Sequence, residues 1–173
     1  MPHPQRKSPR LRGYDYRLAG AYFVTVCTHN RACVFGQVLD GEMRVNALGE
    51  IATACWTEIP THFPLADLDV FVVMPNHVHG IIVIDTTPSV TEPPAVSAHS
   101  GATAGSLGAV VGSFKSAVTR AWRQTVDANN AVLWQQRYHD RIIRNERELN
   151  AIRQYILANP ACWAEDEFND WRS

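Results

Sequence analysis

The chain has 173 residues, 46% of them hydrophobic and 19% charged, a balance that excludes a disordered protein and allows one well-packed core. Sixteen Lys and Arg against seventeen Asp and Glu give a formal charge of −1, which as a bulk figure argues against a nucleic-acid binder. No apolar run approaches the ~18 residues a membrane span needs, and the basic start MPHPQRKSPRLRG lacks the apolar stretch of a signal peptide, so a cytoplasmic protein is expected.

Residues 1–20 read as a basic arm carrying Arg6, Lys7, Arg10, Arg12 and Arg17, with Pro2, Pro4 and Pro9 keeping its start extended. Residues 21–28 (AYFVTVCT), rich in aromatic and β-branched types, predict a strand. Asp40-Gly41, between Val38, Leu39, Met43 and Val45, predicts a small hairpin. Leu48, Ile51, Ala52, Cys55 and Ile59 recur at helical spacing, with Asn46 placed to cap the helix and Pro60 to end it. The continuous apolar run at 68–74 (LDVFVVM) predicts a central strand, Pro75-Asn76 a turn, and residues 77–85 (HVHGIIVID) a second strand.

Residues 86–105, rich in Pro, Ala, Ser, Thr and Gly, predict a flexible loop inside a single domain spanning residues 1–173. Helical spacing returns with Leu107, Val111, Phe114, Val118 and Trp122, and residues 138–144 (YHDRIIR) read as a short edge strand. Asn145 and Glu148 resemble a capping box opening a helix with Leu149, Ile152 and Ile156 on its core face. Asn159-Pro160 closes that helix and an acidic tail, 161–173, follows. The four cysteines, Cys27, Cys33, Cys55 and Cys162, show no CxxC spacing and are expected to be reduced, mostly buried thiols. The tight turn at 75–76 requires antiparallel pairing. The element order favours an α+β sandwich, ferredoxin-like or RRM-like, with helices on one face of a central antiparallel sheet.

Chemistry concentrates in MPNHVHG, residues 74–80. Strand alternation puts His77 and His79 on one face, ~6.6 Å apart along the chain, close enough to share a metal ion and to disfavour each other's protonation. Gly80 removes side-chain bulk beside the pair. The plainer account is two strand histidines without a metal, but they enter an otherwise apolar strand, which calls for a reason. Scattered cysteines disfavour a structural zinc site, and two histidines plus an oxygen ligand suit Mg²⁺ or Mn²⁺ acting on a nucleotide. RQYILANP, residues 153–160, offers Tyr155 and Asn159 one helical turn apart, a phenol and an amide oxygen. On spacing alone Tyr155 reads sooner as a rim residue and Asn159 as a helix stop, and Tyr14, Tyr16, Tyr22 and Tyr138 compete as nucleophiles. Lys115, Arg120, Arg123, Arg137, Arg141, Arg144, Arg147 and Arg153, with Trp122, Trp134 and Tyr138 interleaved, suit phosphates and unpaired bases, or else are solvated helix faces over core aromatics.

MPNHVHG together with WQQRYHDRIIRNERELNAIRQYILANP resembles the REP-associated tyrosine transposases, a branch of the single-tyrosine transposases named for their histidine–hydrophobe–histidine motif and related to the insertion-sequence 200 group. GYDYRLAGAYFVTVCTHNRACVFG is similar to the same family, so the resemblance covers most of the chain. It implies a central antiparallel sheet, a divalent metal on His77 and His79 with Asn159 as third ligand, and Tyr155 as nucleophile. It also implies single-stranded DNA with hairpins as substrate, cleaved and rejoined through a 5′-phosphotyrosine. Some relatives carry a tyrosine in the preceding helix, where FKSAVTR here has Val118 and Thr119, which leaves Tyr155. Arg10, Arg12, Lys115, Arg120, Arg123, Trp134, Arg137, Arg141 and Arg144 are the expected DNA contacts.

A histidine-triad hydrolase is disfavoured because Ile81 stands where a third histidine would be. A catalytically silent nucleic-acid-binding module on the same fold is the alternative. Monomer and homodimer, and so cis or trans action of Tyr155, are both open. The charge of −1 conceals two basic segments, 1–31 and 111–155, with acids gathered elsewhere, so looser nonspecific DNA affinity is expected for a nucleoid-associated protein.

Overall fold

The computed structural model describes residues 19–85, 105–125, 132–166 and 169. In chain order these form β1 (Gly20–Cys27), β2 (Gly36–Leu39), β3 (Glu42–Val45), α1 (Ala47–Thr57), α2 (Ile59–His62), β4 (Ala66–Met74), β5 (His77–Ile84), α3 (Leu107–Thr125), β6 (His139–Ile143) and α4 (Glu146–Ala158). The predicted arm and loop, and with them Arg10 and Arg12, lie outside the described residues, as does the end of the predicted tail.

Strands β4, β5, β1 and β6 lie side by side in that order, each neighbouring pair antiparallel, and β2–β3 forms a separate hairpin. Without the hairpin, the order is the ferredoxin-like βαββαβ arrangement expected from sequence. The hairpin turns at Asp40 (φ 53°) and Gly41 (φ 76°), left-handed at both positions as a two-residue turn requires. Asn46 caps α1 by accepting a hydrogen bond from Gly49 N at 3.0 Å. Pro60 does not end that helix. The break falls at Glu58, and Pro60 sits in the first turn of α2, where its missing N–H is harmless.

Alternation divides each strand between two layers. Tyr22, Val24, Val26, Val78 and Ile82 face a core closed by Trp56 of α1 and by Val111, Phe114 and Val118 of α3. Gly80 belongs to this face and not to the histidine face. A Cβ there would meet Trp56 at 2.3 Å, so the missing side chain makes room for the indole. The opposite face carries a smaller cluster of Ile81, Ile143, Ile152 and Ile156, covered by α4.

Two expectations change here. Helices cover both faces: α1 and α3 pack on one, while α4 crosses the other because its Ile152–Ile156 stripe is the complement of Ile81. And β4 is an edge strand, not a central one. Its run is apolar because α1 and α2 pack on it from one layer and α4 from the other. The cysteines form no disulfide with one another, but Cys27 alone is buried, while Cys33 and Cys162 are exposed.

Candidate functional site

The α4-covered face buries polar groups. His77 and His79 are 0% and 1% exposed, and their ring centroids are 4.3 Å apart. Each ring is held on its Nδ1 side. Asn76 gives its amide N–H to Arg31 O at 3.1 Å, which turns its Oδ1 toward His77 Nδ1 at 2.8 Å. That carbonyl accepts from the Nδ1–H and so places the His77 lone pair on Nε2. His79 Nδ1 meets Thr25 Oγ1, its neighbour across the β1–β5 ladder, at 2.8 Å.

Burial lowers the His77 pKa to about 4, against the raising influence of Asp166 and of the neighbouring Asn159 side chain. Burial, and then the charge of His77, hold His79 well below its ordinary value. Both rings are therefore neutral near pH 7, the form that ligates metals.

Helix α4 brings Tyr155 to this pair. Asn145 caps the helix, accepting from Glu148 N at 2.9 Å. The reciprocal bond runs from Arg144 N to Glu148, one residue before the position a capping box uses. With Ile152 and Ile156 down on the sheet, the Tyr155 hydroxyl stands 3.3 Å from His79 Nε2. The ring edge packs on Phe23, centroids 6.0 Å apart, yet Tyr155 is 43% exposed and open to a substrate. Among the competing tyrosines, Tyr22 is fully buried and Tyr138 packs against the other layer, while Tyr14 and Tyr16 lie outside the described residues.

Asn159 is 3% exposed and donates to Asp166 Oδ2 at 2.9 Å, while its own buried Oδ1 meets no hydrogen-bond donor among the described residues. One ligand atom from each of His77, His79 and Asp166 lies within 4.8 Å of the other two, and no cysteine joins the group among the described residues. Asp166 is the member that sequence reasoning missed, because it read as background charge in an acidic tail. Its spacing of seven residues after Asn159 in an acid-rich turn is the signal available. Asn76, read as a turn residue, is the second omission.

The expected DNA contacts do not gather at this site. Lys115, Arg120 and Arg123 lie on α3, on the other side of the sheet, lining a groove of about 520 Å³ with Ser116, Thr119, Gln124 and Trp134. Lys115 Nζ donates to Gln135 O at 2.6 Å, and burial lowers its pKa. Trp134 is not an open stacking platform. It is 6% exposed, packs on Phe35 and Phe114, and donates its Nε1–H to Lys115 O at 3.1 Å. Arg141 faces the histidine layer from β6, opposite Phe23, and pairs with Glu148 at 2.6 Å. Arg137 and Arg144 are exposed beside that strand.

No protein-family model matches the chain. An uncharacterized protein of Haemophilus influenzae is 37% identical over 167 residues, 94% of this chain and 92% of that protein. Among solved structures, a REP-associated tyrosine transposase bound to a REP hairpin is similar over 94% of this chain and 79% of its own, with TM-score 0.62 and 18% identity. A candidate transposase from Deinococcus radiodurans R1 is similar over 86% and 95%, with TM-score 0.50 and 19% identity. At these identities what both share with the chain is the fold, which is the fold that the resemblance implies. No helix among the described residues is long and apolar enough to cross a membrane.

Proposed function

We propose that this chain, which belongs to one family with the Haemophilus influenzae protein and has the fold of a REP-associated tyrosine transposase, is a transposase that cuts and rejoins single-stranded DNA through a 5′-phosphotyrosine. The observation that carries the reading is the Tyr155 hydroxyl, 3.3 Å from one of two buried, adjacent imidazoles.

The donor set suits a hard or borderline divalent cation: two neutral imidazoles, a carboxylate, and a buried amide oxygen that accepts no hydrogen bond from the described residues. His77, His79, Asp166 and Asn159 would hold Mg²⁺ or Mn²⁺, whose charge polarises a phosphate and lowers a phenol's pKa. The remaining work belongs to the chain. Asn76 and Thr25 orient the rings. Phe23 fixes the edge of the Tyr155 ring. In cleavage, Tyr155 Oη loses its proton as the Oη–P bond forms. The P–O3′ bond breaks in line and the departing 3′ oxygen takes up a proton. The new phosphodiester keeps the energy of the old one, so a 3′-hydroxyl rejoins the strand by the reverse reaction without ATP.

The proposed substrate is single-stranded DNA carrying a hairpin, of the repetitive palindromic kind, on the nucleoid in the cytoplasm. The α3 groove, lined among the described residues by three cations and no carboxylate, suits phosphates, and the β6 edge with Arg137, Arg141 and Arg144 suits the strand running toward Tyr155. Tyr155 meets His79 of its own chain, which supports action in cis.

Incubated with a hairpin-bearing oligonucleotide and Mn²⁺, the protein is expected to become covalently attached to DNA. Tyr155→Phe and chelation by EDTA each abolish the adduct, and Tyr155→Phe still binds the oligonucleotide. Binding without any adduct in the unaltered protein would leave a catalytically silent nucleic-acid-binding module.

A further inference from the structure

We infer that Asp69 and Arg153 form a clamp that holds α4 at the angle from which Tyr155 reaches His79, which makes both of them positioning residues. The inference rests on the reading of Tyr155 as nucleophile.

It begins with a defect in β4. The ladder between β4 and β5 slips between Leu68 and Phe71, leaving Asp69 and Val70 as a bulge. Leu68 and Phe71 both pack into the main core, whereas Val70 and Val72 pack under α4. Strict alternation back from Phe71 would turn Asp69 into the main core, beside the aromatic layer. The extra residue instead sends two consecutive side chains, Asp69 and Val70, to the α4 face. Val70 joins the Ile152–Ile156 cluster and Asp69 meets Arg153.

The contact is a fork. Arg153 Nε donates to both carboxylate oxygens, at 3.1 and 3.0 Å, its Nη2 donates to Oδ2, and its Nη1 donates to Asn150 Oδ1 at 3.1 Å. Such a planar pair fixes direction as well as distance. At ~100° per residue, Arg153 and Tyr155 lie about 80° either side of the Ile152–Ile156 stripe. The fork therefore grips one flank of α4 from the sheet edge while the nucleophile hangs from the other flank over His79 and Phe23. Rolling the helix about its axis would break the fork and move the hydroxyl. Glu148 gives α4 a second tie, to Arg141 on the far edge strand, but at the helix start, further from Tyr155. Ion pairs as exposed as Arg153–Asp69, with side chains 39% and 18% accessible, add little to stability. The consequence expected is on rate.

The test uses Asp69→Asn and Arg153→Met in the full chain. Single-turnover adduct formation at saturating hairpin oligonucleotide with Mn²⁺ should slow by at least about tenfold, with oligonucleotide Kd within about twofold, since a ~1 Å misplacement of a reacting group costs up to about 10²-fold. Arg153→Lys, which keeps the charge and loses the fork, should recover only part of the rate. In the DNA-free protein, amide exchange across residues 150–157 should accelerate in both variants. That arm needs no activity, so an unaltered protein that forms no adduct sinks the functional reading while the clamp is still judged. Unchanged exchange overturns the clamp, whatever the rate does. Kd weakening in step with rate also overturns it, making Arg153 a DNA contact.

Discussion

The two faces of the sheet are built for different ends. Under α1 and α3 the layer is aromatic and closed: Trp56 is fully buried, edge-on to Phe114 at 5.0 Å and stacked on Phe71 at 5.9 Å. Under α4 the apolar cluster is small, and the same strands bury two imidazoles, Thr25 and Asn76 within hydrogen-bond reach of one another. One strand serves both faces. Val78, Gly80 and Ile82 complete the aromatic layer, while His77 and His79, one step out of phase, carry the proposed chemistry. Stability drawn from the first layer lets the second hold buried polar groups that cost free energy unless a partner or a ligand satisfies them.

If the two faces are separable, damage to the closed face alone should cost stability and leave cleavage intact. Trp56→Ala removes the largest side chain in that layer and should cost about 3–5 kcal/mol in denaturant unfolding. Adduct formation per folded molecule should be unchanged at low temperature. A Trp56→Ala protein that stays folded yet loses cleavage would show that the two faces are not separable.

A smaller effect sharpens the other side. The unfolded chain takes up imidazole protons near pH 6.5, whereas folded His77 does so only near pH 4, and folded His79 also lies well below its ordinary value. Between those limits the unfolded state binds more protons, so stability should fall as pH falls from 6.5 to 4. Thermal unfolding followed across that window should show the decline, and it should shrink in His77→Asn. An equal decline in that variant would assign the acid sensitivity elsewhere.

Much of this division is legible in the residues themselves. The period of two puts His77 and His79 on one face, Asn46 and Asn145 announce their helices, and the tight turn at Pro75-Asn76 sets the β4–β5 pairing. What is not legible depends on contacts distant in the chain. A continuous apolar run reports that a strand is covered on both sides, not where it lies in the sheet, so β4 reads as central although it is an edge. The bulge that re-aims Asp69 leaves no mark in LDVFVVM. Trp134 among basic residues reads as a stacking surface until Phe35 and Phe114 are seen against it. Asp166 is separated by 87 positions from His79, and only the turn after α4 brings it to the pair.

The proposed nucleophile is one atom, Tyr155 Oη, and proteolysis of the covalent DNA adduct followed by peptide mass analysis locates it directly. A single modified peptide is expected, with a 5′-phosphoryl oligonucleotide on Tyr155. A modification on any other residue, or on several tyrosines indifferently, would overturn Tyr155 as the nucleophile.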